Sequence, residues 1–223
     1  MDSPVLQGRL VRLEPLGHQH VADLTRAAGE DRGAYAWTWV PAAEEVERYV
    51  TEQRAAAATG RLTPYAQISL ASGRAVGATA YWDPRPFPDG GRLAAIDVGF
   101  TWLAASAQRT GINAEAKYLM LRHAFEVWRV VRVGLSTDVR NARSRAAIAG
   151  IGARFEGVLR NWSRSWVPGE EGRLRDSALY SVVAEEWPEC RAYLEHRLAE
   201  TAQSRSAPVT PAGRPAPHPR SRP

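Results

Sequence analysis

An α/β fold is what this 223-residue sequence predicts, on three observations. Alternating apolar and polar residues recur along the chain, the clearest run being Ala94 to Leu103 with Ile96, Val98, Phe100 and Trp102 in one phase; this is the period of a strand. Between such runs lie stretches with apolar residues three or four positions apart, the period of an amphipathic helix. The composition, 44% apolar and 24% charged, is that of a globular chain long enough to bury a core without disulfide support.

Arg9 to Leu16 alternates and reads as a first strand, followed by a short helix over residues 18–29. Residues 42–59 place Val46, Tyr49 and Val50 at helical spacing before an alanine run and Gly60, a helix with a glycine stop. Residues 64–71 and 74–82 read as two strands. Pro84, Pro86 and Pro88 with Asp89-Gly90-Gly91 exclude regular structure from there to the Ala94–Leu103 strand. After a glycine loop, Ala114, Tyr118, Leu121, Phe125 and Trp128 mark a helix with one buried stripe. Val130 to Thr137 is a strand, Asn141 begins a short helix ending near Gly150, residues 153–162 and 174–183 are the last strands, and 186–199 a terminal helix. Six prolines, four arginines and small residues dominate positions 201–223. Such a segment lacks the apolar side chains to offset its ordering entropy, so one domain over 1–200 and a disordered, passive tail are expected.

The net charge of +5 suggests nucleic acid, but Arg205, Arg214, Arg220 and Arg222 lie in the tail, leaving 25 basic against 24 acidic residues in the body. No basic face for nucleic acid is therefore expected. The lone Cys190 permits neither an internal disulfide nor a cysteine cluster, which suits a reducing cytoplasm. His18, His20, His123, His196 and His218 have no partner at metal-ligand spacing, so no metal is expected. No secretory signal is visible at the start, and no run of about 18 apolar residues could span a bilayer.

The stretch Ser106-Ala-Gln-Arg-Thr-Gly-Ile-Asn-Ala-Glu-Ala-Lys117 joins a strand to a helix and carries the most chemistry. The first N–H groups of a helix are unpaired and its dipole is positive there, so a loop with Gln108, Arg109 and Gly111 at that mouth suits a pyrophosphate. Gly111 allows positive φ and close approach of backbone to ligand. No Gly-Lys-Ser/Thr follows, which excludes a P-loop, and no early G-x-G-x-x-G exists for a dinucleotide fold.

Four segments in this order, Val98-Gly-Phe-Thr-Trp-Leu, Gln108-Arg-Thr-Gly-Ile-Asn-Ala-Glu-Ala, Asp138-Val-Arg-Asn-Ala-Arg-Ser-Arg-Ala-Ala-Ile, and Gly152-Ala-Arg-Phe-Glu-Gly-Val-Leu-Arg with Arg175-Asp-Ser-Ala-Leu-Tyr, make the chain resemble the GNAT acetyltransferase superfamily, its RimJ/RimL-like branch above all, over about residues 5–198. The resemblance implies a mixed, mostly antiparallel twisted sheet of about seven strands, splayed in the middle and flanked by helices on both faces. It implies acetyl-CoA as co-substrate, with the pantetheine arm against the backbone of Trp102, Leu103 and Ala104 between the splayed strands, extending the sheet as an added strand does. Gln108, Arg109, Thr110, Gly111, Ile112, Asn113 and Ala114 would hold the pyrophosphate, and Asn141 would both cap its helix and touch the coenzyme. Asn113 departs from the second glycine that the family's loop commonly has.

Amide formation from a thioester needs a neutral amine, a polarised carbonyl and a protonated leaving sulfur. Similar enzymes place a Ser or Tyr near the coenzyme thiol where Ser144 stands, which makes it the candidate proton donor. Asp97, out of phase with Ile96 and Val98, is the first candidate base and Glu156 the second; for each the alternative is an ion pair with an arginine. Trp37, Trp39, Tyr81 and Trp82 are candidates to line the acceptor pocket, the alternative being core positions. Lys117, the single lysine, is expected near the phosphates or on a solvated helix face. Cys190 lies far from the motifs, so direct transfer in a ternary complex is expected over an acyl-cysteine. The acceptor is an amine: a protein N-terminus, an amino acid or peptide, or a small molecule. A longer acyl-CoA, or a regulatory module that binds acyl-CoA without turnover, are the competing readings. Oligomeric state is open, a homodimer being the form similar enzymes often take.

Overall fold

The computed structural model describes residues 2–206, the last five as backbone only. One mixed sheet of eight strands runs in the order β1-β2-β3-β4-β5-β6-β8-β7. Its strands are β1 (Leu6–Gln7), β2 (Val11–Pro15), β3 (Leu62–Ser69), β4 (Arg74–Pro86), β5 (Leu93–Leu103), β6 (Arg132–Asp138), β7 (Arg154–Arg164) and β8 (Leu174–Val183). The helices are α1 (Val21–Ala28), α2 (Val46–Ala58), α3 (Ile112–Arg122), α4 (Ala142–Ala149) and α5 (Trp187–Ser206). All neighbouring strands are antiparallel except β5 and β6.

The strand count exceeds the expected seven by β1, a two-residue strand too short to show alternation. It pairs Leu6 with Leu13 across the turn at Gly8. Glu115, from the first turn of α3, holds that turn: its carboxylate, buried, accepts the backbone N–H groups of Arg9, Leu10 and Val11 at 2.8, 2.6 and 2.8 Å.

Four further expectations need correction. β4 runs on through Pro84 to Pro86, because its pairing with β5 shifts register between Trp82 and Arg85 and again at Pro86; proline is tolerated where a strand is bulged and a ladder N–H is not required. The phase of β5 breaks at Phe100, which takes φ +50° and leaves its ring 49% exposed, while Ile96, Val98 and Trp102 are buried. Four residues of β5 (Gly99 to Trp102) lie opposite three of β4 (Ala78 to Ala80), so one residue is extra and the strand bulges. The buried side of α3 is wider than one stripe: Ile112, Ala116, Leu119, Met120 and Leu121 are all buried, because the helix packs against α5 and the β1–β2 hairpin as well as the sheet. A π-helical turn, His123–Val127, then shifts the phase before Trp128. Finally, α5 runs to Ser206, six residues into the tail expected from 201: Pro188 sits in its first turn, where no intrahelical N–H bond is lost, and no glycine or proline follows before Pro208. The rest of that tail, residues 207–223, lies outside the described residues.

β5 and β6 are parallel neighbours for only three residue pairs, Ala95–Arg132, Ile96–Val133 and Asp97–Gly134. Beyond Asp97 the two strands run on, β5 to Leu103 and β6 to Asp138, without pairing to each other. Their facing edges therefore carry backbone groups that no ladder satisfies, an opening in the middle of the sheet.

Candidate active site

At the end of β5 the chain turns through Ala105–Ala107 into the glycine loop. Arg109 has φ +60° and Gly111 φ +89°, flanking Thr110. Left-handed residues alternating with ordinary ones turn successive N–H groups into one concavity, an anion nest, and the orphan N–H groups of the first turn of α3 continue it. A Cβ at Gly111 would also press on Leu10 Cδ1 at 2.9 Å and Thr201 Cγ2 at 3.2 Å. The left-handed φ is what requires glycine; the Leu10 side chain would have to shift for any Cβ. Asn113 lies inside the first turn of α3 without positive φ, so its position makes no demand that only glycine meets; its Oδ1 is buried and has no partner among the described residues. Gln108 braces the loop, donating to Leu103 O at 3.0 Å and accepting from Arg143 of α4 at 2.8 Å. Arg143 therefore brings a second cation to the loop; it lies within the Asp138–Ile148 motif, but no role was expected of it.

α4 begins directly after β6. Asn141, buried, accepts the Ser144 N–H at 2.9 Å as the N-cap. Ser144 is half-buried, and its hydroxyl has no protein partner among the described residues. The cap brings Ser144 to the β6 side of the opening.

Asp97 is the last residue of β5 paired with β6, so it stands at the vertex of the split, its carboxylate against Gly134, where a Cβ would collide with it. It is bonded to Arg85. Burial pushes its pKa up, against the pull of Arg85 and Arg132. Glu156, on β7, is held in two bonds by Arg132 and accepts from Ser181 at 2.7 Å. These partners hold it down to about 2, which leaves it little basicity for a proton transfer near neutrality.

The loop between α1 and α2 crosses the open end of the split. Glu30 accepts the Ser106 N–H at 2.8 Å, the Tyr35 hydroxyl donates to Leu103 O at 2.7 Å, and Trp37 lies under the guanidinium of Arg140 at 4.4 Å. Arg140 in turn binds buried Asp138 at the end of β6 and Glu170. Trp39 packs on Tyr49 and on Trp166, with ring centroids 5.6 and 6.1 Å apart. Trp37 and Trp39 thus border the opening, and Trp166 joins them without having been singled out in the sequence. Trp82, half-buried, stands edge-on to Phe100 at the bulge. Tyr81 does not reach a pocket. It is 0% exposed, bonded to Met120 O at 2.7 Å and packed between Tyr65 and Trp128; its phase on β4 turns it under α3.

Lys117 is likewise displaced from the expected phosphate or solvent position. It is buried at 6% exposure, with Nζ donating to Thr79 at 3.0 Å and Thr101 at 2.7 Å, and burial lowers its pKa to about 7. Cys190 is buried against Gly152 and donates to Ile151 O; burial pushes its thiol up to about 11. Among the described residues no cluster of His, Cys, Asp or Glu could hold a metal ion, and no helix is long and apolar enough to cross a membrane.

An acyl-CoA donor fits these groups: an anion nest at a helix mouth, two nearby guanidinium groups, and an unpaired strand edge leading from the nest to Asp97. The acetyltransferase (GNAT) domain model matches residues 10–154. The chain belongs to the GNAT acetyltransferase family. Its fold is close to that of a GCN5-related N-acetyltransferase from Brucella melitensis, at 26% identity and a TM-score of 0.77 over 89% of this chain and 86% of that one. A T. thermophilus protein described as an acetyltransferase is 33% identical over 89% of this chain and 98% of its own, with a TM-score of 0.71. Mycobacterium smegmatis RimJ, whose structure was solved in complex with a CoA-disulfide, shares the fold at 24% identity and a TM-score of 0.69, over 87% of this chain and 93% of that one. No curated protein sequence matches. In this GNAT chain, acetyl-CoA is the donor that the family uses.

Proposed function

We propose that this GNAT chain transfers an acetyl group from acetyl-CoA directly to a primary amine held with it in a ternary complex. The observation that carries the reading is the ending of β5–β6 pairing at Asp97 and Gly134, with the nest at Arg109–Gly111 at the far end of the same strand. When bound, the thioester supplies an activated acyl group. Everything else falls to the chain's own residues. The backbone N–H groups of residues 109–114, with Arg109 and Arg143, neutralise the diphosphate. The free edge of β5 around Trp102–Ala104 holds the amide arm, where the Tyr35 and Gln108 bonds to Leu103 O compete for one acceptor.

Ser144, held by the Asn141 cap, donates a proton toward the leaving sulfur. Asp97 at the vertex takes the amine's proton, directly or through water. Its raised pKa suits that role better than the depressed one of Glu156. The amine enters past Trp37 and Trp39. A protein N-terminus, an amino acid or peptide, and a small-molecule amine all satisfy this chemistry.

The test is calorimetric titration with acetyl-CoA followed by coenzyme A release across a panel of amines. One-site donor binding and amine-dependent thiol release are expected. Donor binding without release for any amine would favour a sensing module instead.

A further inference from the structure

A buried lysine with no carboxylate partner is unusual, because desolvating an ammonium is costly and proteins normally pair it. Lys117 is such a group. Among the described residues its bonds are to two hydroxyls, Thr79 on β4 and Thr101 on β5. Those hydroxyls are 2.8 Å apart, and each also lies within hydrogen-bond distance of Gly99 O, at 3.4 and 3.2 Å. The groups therefore form one cluster, with Met120 Sδ also within reach of the Thr79 hydroxyl at 3.7 Å: the lysine donates to both threonine oxygens, and a hydroxyl proton is left to bond Gly99 O.

The place of this cluster matters. Gly99 and Thr101 flank Phe100, the left-handed residue of the β5 bulge. The bulge begins two residues beyond Asp97, where β5 leaves β6. Lys117 itself stands six residues after Gly111, on the helix whose mouth forms the anion nest. The lysine thus connects the helix that would carry the diphosphate to the irregular strand that borders the reaction cleft. A bulge with positive φ at a phenylalanine stores backbone strain. It holds its shape only if surrounding bonds fix it, and the Gly99 carbonyl and the Thr101 side chain are both fixed from the Lys117 side.

We propose that Lys117, through Thr79 and Thr101, is a positioning residue for acyl transfer: it locks the Gly99–Thr101 bulge so that the backbone N–H groups of β5 point into the cleft where the acyl carbonyl is polarised. This rests on the acetyl-transfer reading above. The lysine does not touch the reacting atoms. Its side chain is on the α3 side of the strand, bonded to hydroxyls, and acts through the backbone conformation that those hydroxyls hold.

The experiment compares wild type with Lys117→Met, which keeps the apolar stem, and with the pair Thr101→Val and Thr101→Ser. Three quantities are read: hydrogen–deuterium exchange of the peptide covering Gly99–Leu103 without ligand, the dissociation constant of coenzyme A, and kcat at saturating acetyl-CoA. Lys117→Met is expected to raise exchange in that peptide at least tenfold while the β7–β8 peptides stay unchanged. It should lower kcat about 10- to 100-fold, within the range for misplacing backbone donors at a developing oxyanion, and leave coenzyme A affinity within about threefold, since the Gly111 nest is untouched. Thr101→Val should reproduce the loss and Thr101→Ser, which keeps the hydroxyl, should restore most of it. If Lys117→Met does not fold, the threonine pair decides alone. Unchanged exchange at the bulge, or faster exchange with wild-type kcat, overturns the proposal while leaving the donor reading intact. A wild-type chain that binds no coenzyme A overturns the donor reading and this proposal with it.

Discussion

Gly111, Ser144 and Lys117 each make a separable prediction at the smallest scale. Gly111 has a left-handed backbone, and a Cβ there would displace the end of the Leu10 side chain. Gly111→Val should cut coenzyme A affinity at least tenfold by calorimetry with secondary structure preserved; wild-type affinity would remove the loop from the donor site. Ser144→Ala should lower kcat by up to about 10²-fold, the lower range for a positioned proton donor, without moving donor affinity. Lys117 adds a signature in stability. Its pKa falls from 10.5 in the unfolded chain to about 7 when buried. Between those values the unfolded state binds a proton that the native state does not, so stability rises with pH across that window. The wild-type stability minus that of Lys117→Met should climb by roughly 2–3 kcal/mol between pH 7 and 9, at about 1.4 kcal/mol per pH unit for one proton. Denaturant melts at three pH values measure it, and a flat difference would mean the amine is not buried. None of this was visible from the position of Lys117 inside a predicted helix. Its partners are hydroxyls on two strands distant in sequence, Thr79 on β4 and Thr101 at the β5 bulge.

The elements work as a frame around α3. Its N-terminal turn forms the nest, its middle carries Lys117 under the bulge, and its Glu115 clamps the β1–β2 turn with three bonds to backbone N–H groups. Replacing Glu115 by Ala strands three buried or part-buried donors, and the expected loss is about 3–5 kcal/mol in chemical denaturation; a loss under about 1 kcal/mol, the net worth of a single ordinary hydrogen bond, would show that water takes over the clamp. The order of the strands and helices was readable in the sequence, because alternation and helical spacing are local. The glycine loop was readable for the same reason: Gly111, the cap at Asn141 and the helix starts depend on neighbours in the chain. Glu115 was not, since its partners lie more than a hundred residues away and nothing near Glu115 announces them. Pro84 and Pro86 misled for a related reason. They forbid regular pairing locally, yet β5 meets β4 there through a shifted register that asks for no N–H at those positions.

Across the whole molecule, the sheet divides into two antiparallel halves, β1–β5 and β6–β8, joined by three parallel residue pairs. The donor loop and α3 belong to the first half. Asn141, Ser144 and the Asp138–Arg140–Glu170 cluster belong to the second, and the α1–α2 loop bridges them through Tyr35 and Trp37. The proposed direct transfer asks for such a site, one that holds two substrates together between the halves. Cys190 is buried, with its thiol pushed up to about 11, and has no part in the proposed transfer. Initial-rate plots against both substrates should therefore intersect, and Cys190→Ser should keep turnover; parallel lines would require an acyl-enzyme. With Asp97 as the proposed base, its ionisation sets the pH dependence. Since its raised pKa belongs to a group that must be ionised to accept a proton, kcat/KM should fall as pH drops through that pKa, and Asp97→Asn should lower kcat/KM and remove this limb.

The aromatic border of the acceptor side was only half legible, because Trp39 and Trp166 meet through loops whose paths no periodicity encodes. A crystal structure of the chain with coenzyme A bound tests the reading most directly. The diphosphate should lie on the N–H groups of residues 109–114, with the arm running between β5 and β6 and the sulfur within reach of Ser144. Coenzyme A seated anywhere else, with the gap beyond Asp97 and Gly134 closed by strand pairing, would contradict it.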